Sequence, residues 1–72
     1  MQRKPVKSTN IKSIGYDSKS RNLEVEFSSG GVYQYANVPP NTHAAFIKAS
    51  SKGAFHSENI KGVFDHTKQK AA

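Results

Sequence analysis

The stretch that decides the fold is Leu23-Glu24-Val25-Glu26-Phe27-Ser28-Ser29-Gly30-Gly31-Val32-Tyr33-Gln34-Tyr35-Ala36-Asn37-Val38. Apolar and acidic residues alternate over its first five positions, which is the period-2 pattern of a strand with one buried face. The serines and glycines that follow are typical of a turn, because glycine accepts the positive φ that hairpin turns need. Tyr33 and Tyr35 then alternate with polar Gln34. The stretch therefore predicts a β-hairpin.

The register of this hairpin decides where the two tyrosines point, because a slip of one residue moves a side chain to the other face. A three-residue loop would place Gly30 at positive φ and pair Val25 with Tyr33. Leu23 would then pair with Tyr35, and both tyrosines would share the apolar face. A two-residue loop would send both tyrosines to the opposite face. We favour the three-residue loop, because it puts a glycine where positive φ is required.

The rest of the chain predicts an α+β domain. Strands are expected at about 11–17, 23–28 and 32–37, forming a three-stranded antiparallel meander. Asn41 or the prolines before it begin one main helix through about residue 51, packed on one face of the sheet. Gly53 is expected to end this helix in a left-handed conformation. Residues 55–62 predict a short C-terminal helical turn, with Ser57 as its cap.

Size and composition favour a single small domain of 72 residues. We expect a flexible basic arm over 1–9, one domain over 10–64 and a flexible tail over 65–72. The chain has no cysteine, no apolar signal segment and no run of transmembrane length, which favours a cytoplasmic monomer without membrane contact.

Positive charge is the unusual feature of the composition. Eleven Lys and Arg residues face five Asp and Glu residues, for a formal net charge of +6. Such a chain favours anionic partners, nucleic acid among them. The candidates for phosphate contact are Lys12, Arg21, Lys48, Lys52 and Lys61, although a merely solvated face explains them equally well.

The two tyrosines of the hairpin have two interpretations. Exposed rings at Tyr33 and Tyr35 would form a platform on which nucleic-acid bases stack. Rings on the covered face would instead be cross-strand partners of Val25 and Leu23 within the core. The core interpretation is the more ordinary one.

Nothing in the sequence indicates an enzyme, a metal site or a cofactor site. His43, His56 and His66 are thirteen and ten residues apart, so no pair has the i, i+4 spacing of a helical zinc site. No serine lies in a nucleophile-elbow context, and the glycines match neither the phosphate-binding loop nor the dinucleotide fingerprint.

The chain resembles the KTSC domain, a family named for the C-terminal domain of some lysyl-tRNA synthetases. The resemblance covers about residues 10–64. The family also includes stand-alone small proteins of bacteria and phages. It rests on Ile14-Gly15-Tyr16-Asp17, Leu23-x-Val25-x-Phe27, Tyr33-x-Tyr35-x-x-Val38-Pro39, and Phe46, Ala49, Ser50, Gly53, Phe55, Ile60 and Phe64. The chain departs from the pattern at His56, where members often have an aromatic residue, and at Phe64, where a tyrosine is common.

This resemblance implies a three-stranded antiparallel sheet with a helix packed on it, and an RNA-binding role centred on Tyr33 and Tyr35. It brings no catalytic residue. Two hypotheses follow for the function. The first is a module that binds tRNA-like or single-stranded RNA through its basic surface. The second is a protein-interaction module that docks a partner through the sheet edge or exposed aromatic residues.

Overall fold

The fold is a five-stranded antiparallel sheet with two helices between its fourth and fifth strands, in a computed structural model that describes residues 3–69. The spatial order of the strands is the same as their order in the chain. The elements are β1 (Arg3–Pro5), β2 (Ile11–Asp17), β3 (Asn22–Phe27), β4 (Val32–Tyr35), α1 (Pro40–Lys48), α2 (Lys52–Asn59) and β5 (His66–Gln69). No helix within 3–69 is both long enough and apolar enough to span a membrane.

The β3–β4 hairpin has the register that the three-residue loop predicts. Val25 pairs with Tyr33, and Leu23 pairs with Tyr35. The Gly30 N–H donates to the Phe27 carbonyl at 2.9 Å, and Gly30 has a φ of +106°. The prediction is confirmed, because the turn needed a residue that tolerates this backbone conformation.

The sheet has five strands, so the prediction of a three-stranded meander was wrong in strand number. The two additional strands, β1 and β5, lie in the segments expected to be an arm and a tail. Their sequences, Arg-Lys-Pro and His-Thr-Lys-Gln, lack apolar alternation. They are edge strands that join through backbone hydrogen bonds to β2 and β4, and such bonds leave no signature in side-chain hydrophobicity.

The helical segment is divided differently from the prediction. The first helix ends at Lys48, because Ala49 adopts an extended conformation with ψ of 136°. Ser51 then caps α2, its hydroxyl accepting from the Ala54 N–H at 3.4 Å. The expectation of a left-handed stop at Gly53 was therefore wrong, as was that of a cap at Ser57. Both residues lie inside α2.

The core lies between the helices and one face of the sheet. Phe46 of α1 and Ile60 at the end of α2 are fully buried against side chains from three strands. The buried cluster contains Ile11, Ile14, Leu23, Val25, Tyr35, Val38, Phe46 and Ile60. Since side chains alternate across a strand, Glu24 and Glu26 point to the opposite face.

Candidate functional site: an aromatic pocket beside the second helix

The two tyrosines of the hairpin lie on the helix-covered face of the sheet. Tyr35 is buried, with 3% of its surface exposed, whereas Tyr33 is half-buried. Tyr35 thus belongs to the core cluster, as the more ordinary interpretation expected, and Tyr33 packs against its margin. An open stacking platform on the other face is excluded by this register.

Both tyrosines nevertheless line a pocket of about 450 Å³. It lies where the hairpin meets α2 and β5. The lining residues are Phe27, Ser29, Tyr33, Tyr35, His56, Ser57, Lys61 and His66. Rings supply most of its wall, and the remaining groups are two hydroxyls and one ammonium.

The rings of the pocket hold one another in edge-to-face contacts. His56 lies at 73° to Phe27 with a centroid distance of 5.0 Å, and at 72° to Tyr35 with a distance of 5.4 Å. Phe27 meets Tyr33 at 78° and 5.6 Å. His66 is tilted against Tyr33 and Tyr35, at 5.7 Å from each. Such geometry is favourable for aromatic pairs and fixes the rings in place.

One hydrogen bond connects the sheet to α2 at the base of the pocket. The Tyr35 hydroxyl and His56 Nε2 are 2.6 Å apart, and either group is able to donate, depending on the imidazole tautomer. Burial lowers the pKa of His56, and the nearby Lys61 and His66 lower it further. Burial also raises the pKa of Tyr35. Both groups are therefore neutral at physiological pH, as a buried hydrogen-bonded pair needs to be.

The charge around the pocket is positive. Lys61 is part of its wall, and no Asp or Glu residue is among the residues that line it. In the β4–β5 ladder Lys68 pairs with Tyr33 and His66 pairs with Tyr35, so these basic side chains point to the same face as the tyrosines.

Two of the acidic residues lie on the other face of the sheet. Arg3 Nη1 is 3.2 Å from Glu24 Oε2, and Arg3 Nη2 is 4.0 Å from Glu26 Oε1. The Ser13 hydroxyl donates to Glu26 at 2.8 Å. These carboxylates are thus engaged away from the pocket and do not offset its positive charge.

The structure brings together three of the seven residues that the sequence selected. Tyr33, Tyr35 and Lys61 line the same pocket. The other four candidates are not among its lining residues. Lys12 lies at the register shift of β2, Arg21 in the β2–β3 turn at a φ of 59°, Lys48 at the end of α1 and Lys52 at the start of α2.

Lys52 has a local role in the chain. Its ammonium donates to the Ala49 carbonyl at 3.1 Å, where α1 has just ended. This bond satisfies a carbonyl near the negative end of the α1 dipole. Lys48 and Lys52 therefore belong to different helices, although they are only four residues apart in the sequence.

Three rings of the pocket were not selected from the sequence as site residues: Phe27, His56 and His66. His56 carried a signal, because it departs from the family pattern at a position where members often have an aromatic residue. His66 carried none, since its place beside Tyr35 depends on β5. Within 3–69, no three His, Cys, Asp or Glu side chains are grouped so as to hold a metal ion.

A family model and a solved structure both match this chain and name the same family. The KTSC domain family matches residues 7–64 of the chain. An uncharacterized protein from Stutzerimonas stutzeri is 41% identical over 61 residues, which cover 85% of this chain and 86% of that protein. The crystal structure of a KTSC domain protein from Yersinia pestis superposes with a TM-score of 0.94 at 48% identity, covering 96% of this chain and 97% of that one.

A segment of a much larger protein is also similar. The lysine–tRNA ligase of Nostoc punctiforme is 43% identical over 54 residues. The match covers 75% of this chain but only 10% of the ligase. The chain is thus similar to one small part of that enzyme.

Proposed function

Because the chain belongs to the KTSC domain family, and because its pocket combines aromatic rings with positive charge, we propose that it is a non-catalytic RNA-binding module. The observation that carries the proposal is the convergence of Tyr33, Tyr35 and Lys61 on one pocket without an acidic lining residue. Single-stranded RNA presents unstacked bases and phosphates together. Aromatic rings beside cations are the combination that recognises them.

Charge supports RNA as the partner in two ways. The net charge of +6 attracts a polyanion over the whole molecule. The register of β3 places Glu24 and Glu26, two of the five acidic residues, on the face away from the pocket, where Arg3 pairs with them. An approaching phosphate chain is therefore steered toward the helix-covered side, where Lys61 and Lys68 lie.

The similarity to part of a lysine–tRNA ligase is consistent with RNA. The name of that relative includes a tRNA, and a module that contacts RNA would serve such an enzyme. Only contact with RNA is proposed for the present chain. The aminoacylation activity of the ligase is not transferred.

A salt titration tests the proposal. A fluorescently labelled single-stranded RNA and a labelled tRNA are titrated with the protein at about 50 mM and about 200 mM salt. We expect measurable binding at the lower salt that weakens at the higher one, with the logarithmic slope growing by about 0.7 for each phosphate contact on a single strand. Absence of binding at the lower salt, or equal affinity at both, would contradict the proposal.

A matched pair of variants connects the binding to the pocket. Lys61→Gln removes a cation from the pocket wall, and Lys19→Gln removes one from the β2–β3 turn; both side chains are exposed, so neither change disturbs the core. We expect the first variant to weaken RNA binding more than the second and to lower the salt slope. Equal effects would show that the charge acts without regard to position.

A protein partner is the second candidate, and the sheet topology is the observation that favours it. The outermost strands are β1 and β5, whose outer backbone groups could pair with a strand of another chain. Both strands are short, at three and four residues, which limits the length of such a ladder. Sedimentation at two protein concentrations checks for a second copy of the chain as the partner, and we expect a monomer at both.

A further inference from the structure

The size and lining of the aromatic pocket indicate what enters it. We infer that it is a binding site for one unpaired nucleotide, with the base among the rings and the phosphate at Lys61; this inference rests on the proposed function and deepens it. A volume of about 450 Å³ lies within the usual range of small-ligand sites, roughly 300–1,000 Å³. The volume is therefore that of a small-ligand site, in which we place the base among the rings and the phosphate at Lys61.

The rings that a base can reach in the pocket are those of Phe27, Tyr33 and His66, which are half-buried or exposed. With 3% of its surface exposed, Tyr35 offers no ring face to a ligand and forms part of the pocket floor. Tyr33 is half-buried beside it; Phe27 meets Tyr33 edge-on, and His56 meets Tyr35 edge-on. A base that contacts the reachable rings has left the stack of its own strand, as bases of single-stranded RNA do when they stack on aromatic side chains.

The base edge meets few fixed hydrogen-bonding groups. The Tyr35 hydroxyl and His56 Nε2 bond to each other at 2.6 Å, so each already has a partner. The remaining hydroxyls are those of Ser29 and Ser57. Hydroxyls rotate and both donate and accept, so they discriminate weakly between bases. We therefore expect little preference among the four nucleotides beyond their stacking strength.

The phosphate site is set by the charged groups on two elements. Lys61 follows the C-terminal end of α2, and the β5 strand carries His66 and Lys68 on the side facing the tyrosines. Among residues 3–69, no carboxylate lines the pocket to repel a phosphate. The ligand class is therefore a planar aromatic ring joined to an anionic phosphate, whether free in solution or within an RNA strand.

Binding of the separate parts of a nucleotide tests whether the rings hold the base and Lys61 holds the phosphate. The protein is titrated with adenosine 5′-monophosphate, adenosine and ribose 5-phosphate, and binding is followed by amide chemical shifts. We expect the complete nucleotide to bind about tenfold or more tightly than either part, because only the complete nucleotide has both the base that stacks and the phosphate that meets Lys61. We also expect it to displace the labelled RNA. Lys61→Gln should weaken nucleotide binding severalfold, whereas Lys19→Gln should leave it unchanged.

The outcomes separate the site from the proposed function. If ribose 5-phosphate binds as tightly as the complete nucleotide, or if the shifts fall outside the pocket, the inference is overturned even when RNA binds. If the nucleotide binds in the pocket but RNA does not bind at low salt, the site stands as one for a free nucleotide and the proposed function fails. If neither binds, both fail.

Discussion

The hydrogen bond between Tyr35 and His56 links the two halves of the fold at the level of single residues. Tyr35 comes from the central hairpin and His56 from α2, and both are buried. A buried polar group that loses its partner costs the free energy of its lost hydration, whereas removing both partners is much cheaper. The pair is therefore expected to be strongly coupled.

A double-mutant cycle measures this coupling. Tyr35→Phe leaves His56 Nε2 without its partner and should lower the free energy of unfolding by about 1–3 kcal/mol. His56→Phe keeps an aromatic ring but has no hydrogen-bonding group. We expect the double variant to be more stable than the sum of the single effects predicts, as judged by urea denaturation. Additive effects would show that the two groups do not interact.

The same histidine makes stability depend on pH. Burial first, then Lys61 and His66, lowers the pKa of His56 in the folded state below its ordinary value of 6.5. Burial lowers the pKa of His43 in the same direction. Between the folded-state pKa and 6.5, the unfolded chain therefore binds more protons than the folded chain. The stabilisation that the neutral buried histidine gives to the folded state is complete above pH 6.5 and is lost as the pH falls toward the folded-state pKa.

Denaturation between about pH 8 and about pH 5.5 checks this dependence. The unmodified chain should lose stability as the pH falls. His56→Phe should lose less, because its ring does not titrate. His43→Phe should also lose less, because it removes the other histidine whose pKa is lowered, and it leaves the pocket intact. A pH dependence that neither variant reduces would exclude histidine burial as its cause.

At the scale of elements, the hairpin was predictable because its information is local. Alternation of apolar and acidic residues defines β3, and Gly30 defines the loop and therefore the register. The two edge strands were not predictable, because their residues are polar and their pairing is made by the backbone. The break between the helices depends on Ser51, and a serine in a helical pattern does not by itself indicate a new cap.

Replacing Gly30 tests the role of its backbone conformation. At a φ of +106°, Gly30→Ala places a side chain where L-residues are strained, although a Cβ there meets no atom within 4 Å. We expect a loss of about 1–3 kcal/mol in the free energy of unfolding that comes from the backbone and not from a clash. Ser29→Ala in the same loop should have little effect. Equal stability of Gly30→Ala and the unmodified chain would contradict the assigned register.

At the scale of the whole molecule, the site could be predicted only in part. The sequence identified Tyr33, Tyr35 and Lys61, because ring and charge are properties of single residues. It could not indicate that they meet, since the pocket also needs α2 to turn His56 inward and β5 to bring His66 beside Tyr35. The distribution of charge is also a property of the whole molecule. The net charge is positive, and Arg3 pairs with Glu24 and Glu26 on the face of the sheet opposite the pocket.

Mapping the RNA-binding face on the uniformly ¹⁵N-labelled protein tests most directly whether RNA binds at the aromatic pocket. A short single-stranded RNA is added at low salt, and the shifts of the amide resonances are followed. We expect the largest changes around Tyr33, Lys61 and His66. Changes concentrated at Glu24 and Gln34 on the opposite face, or no changes at all, would contradict it.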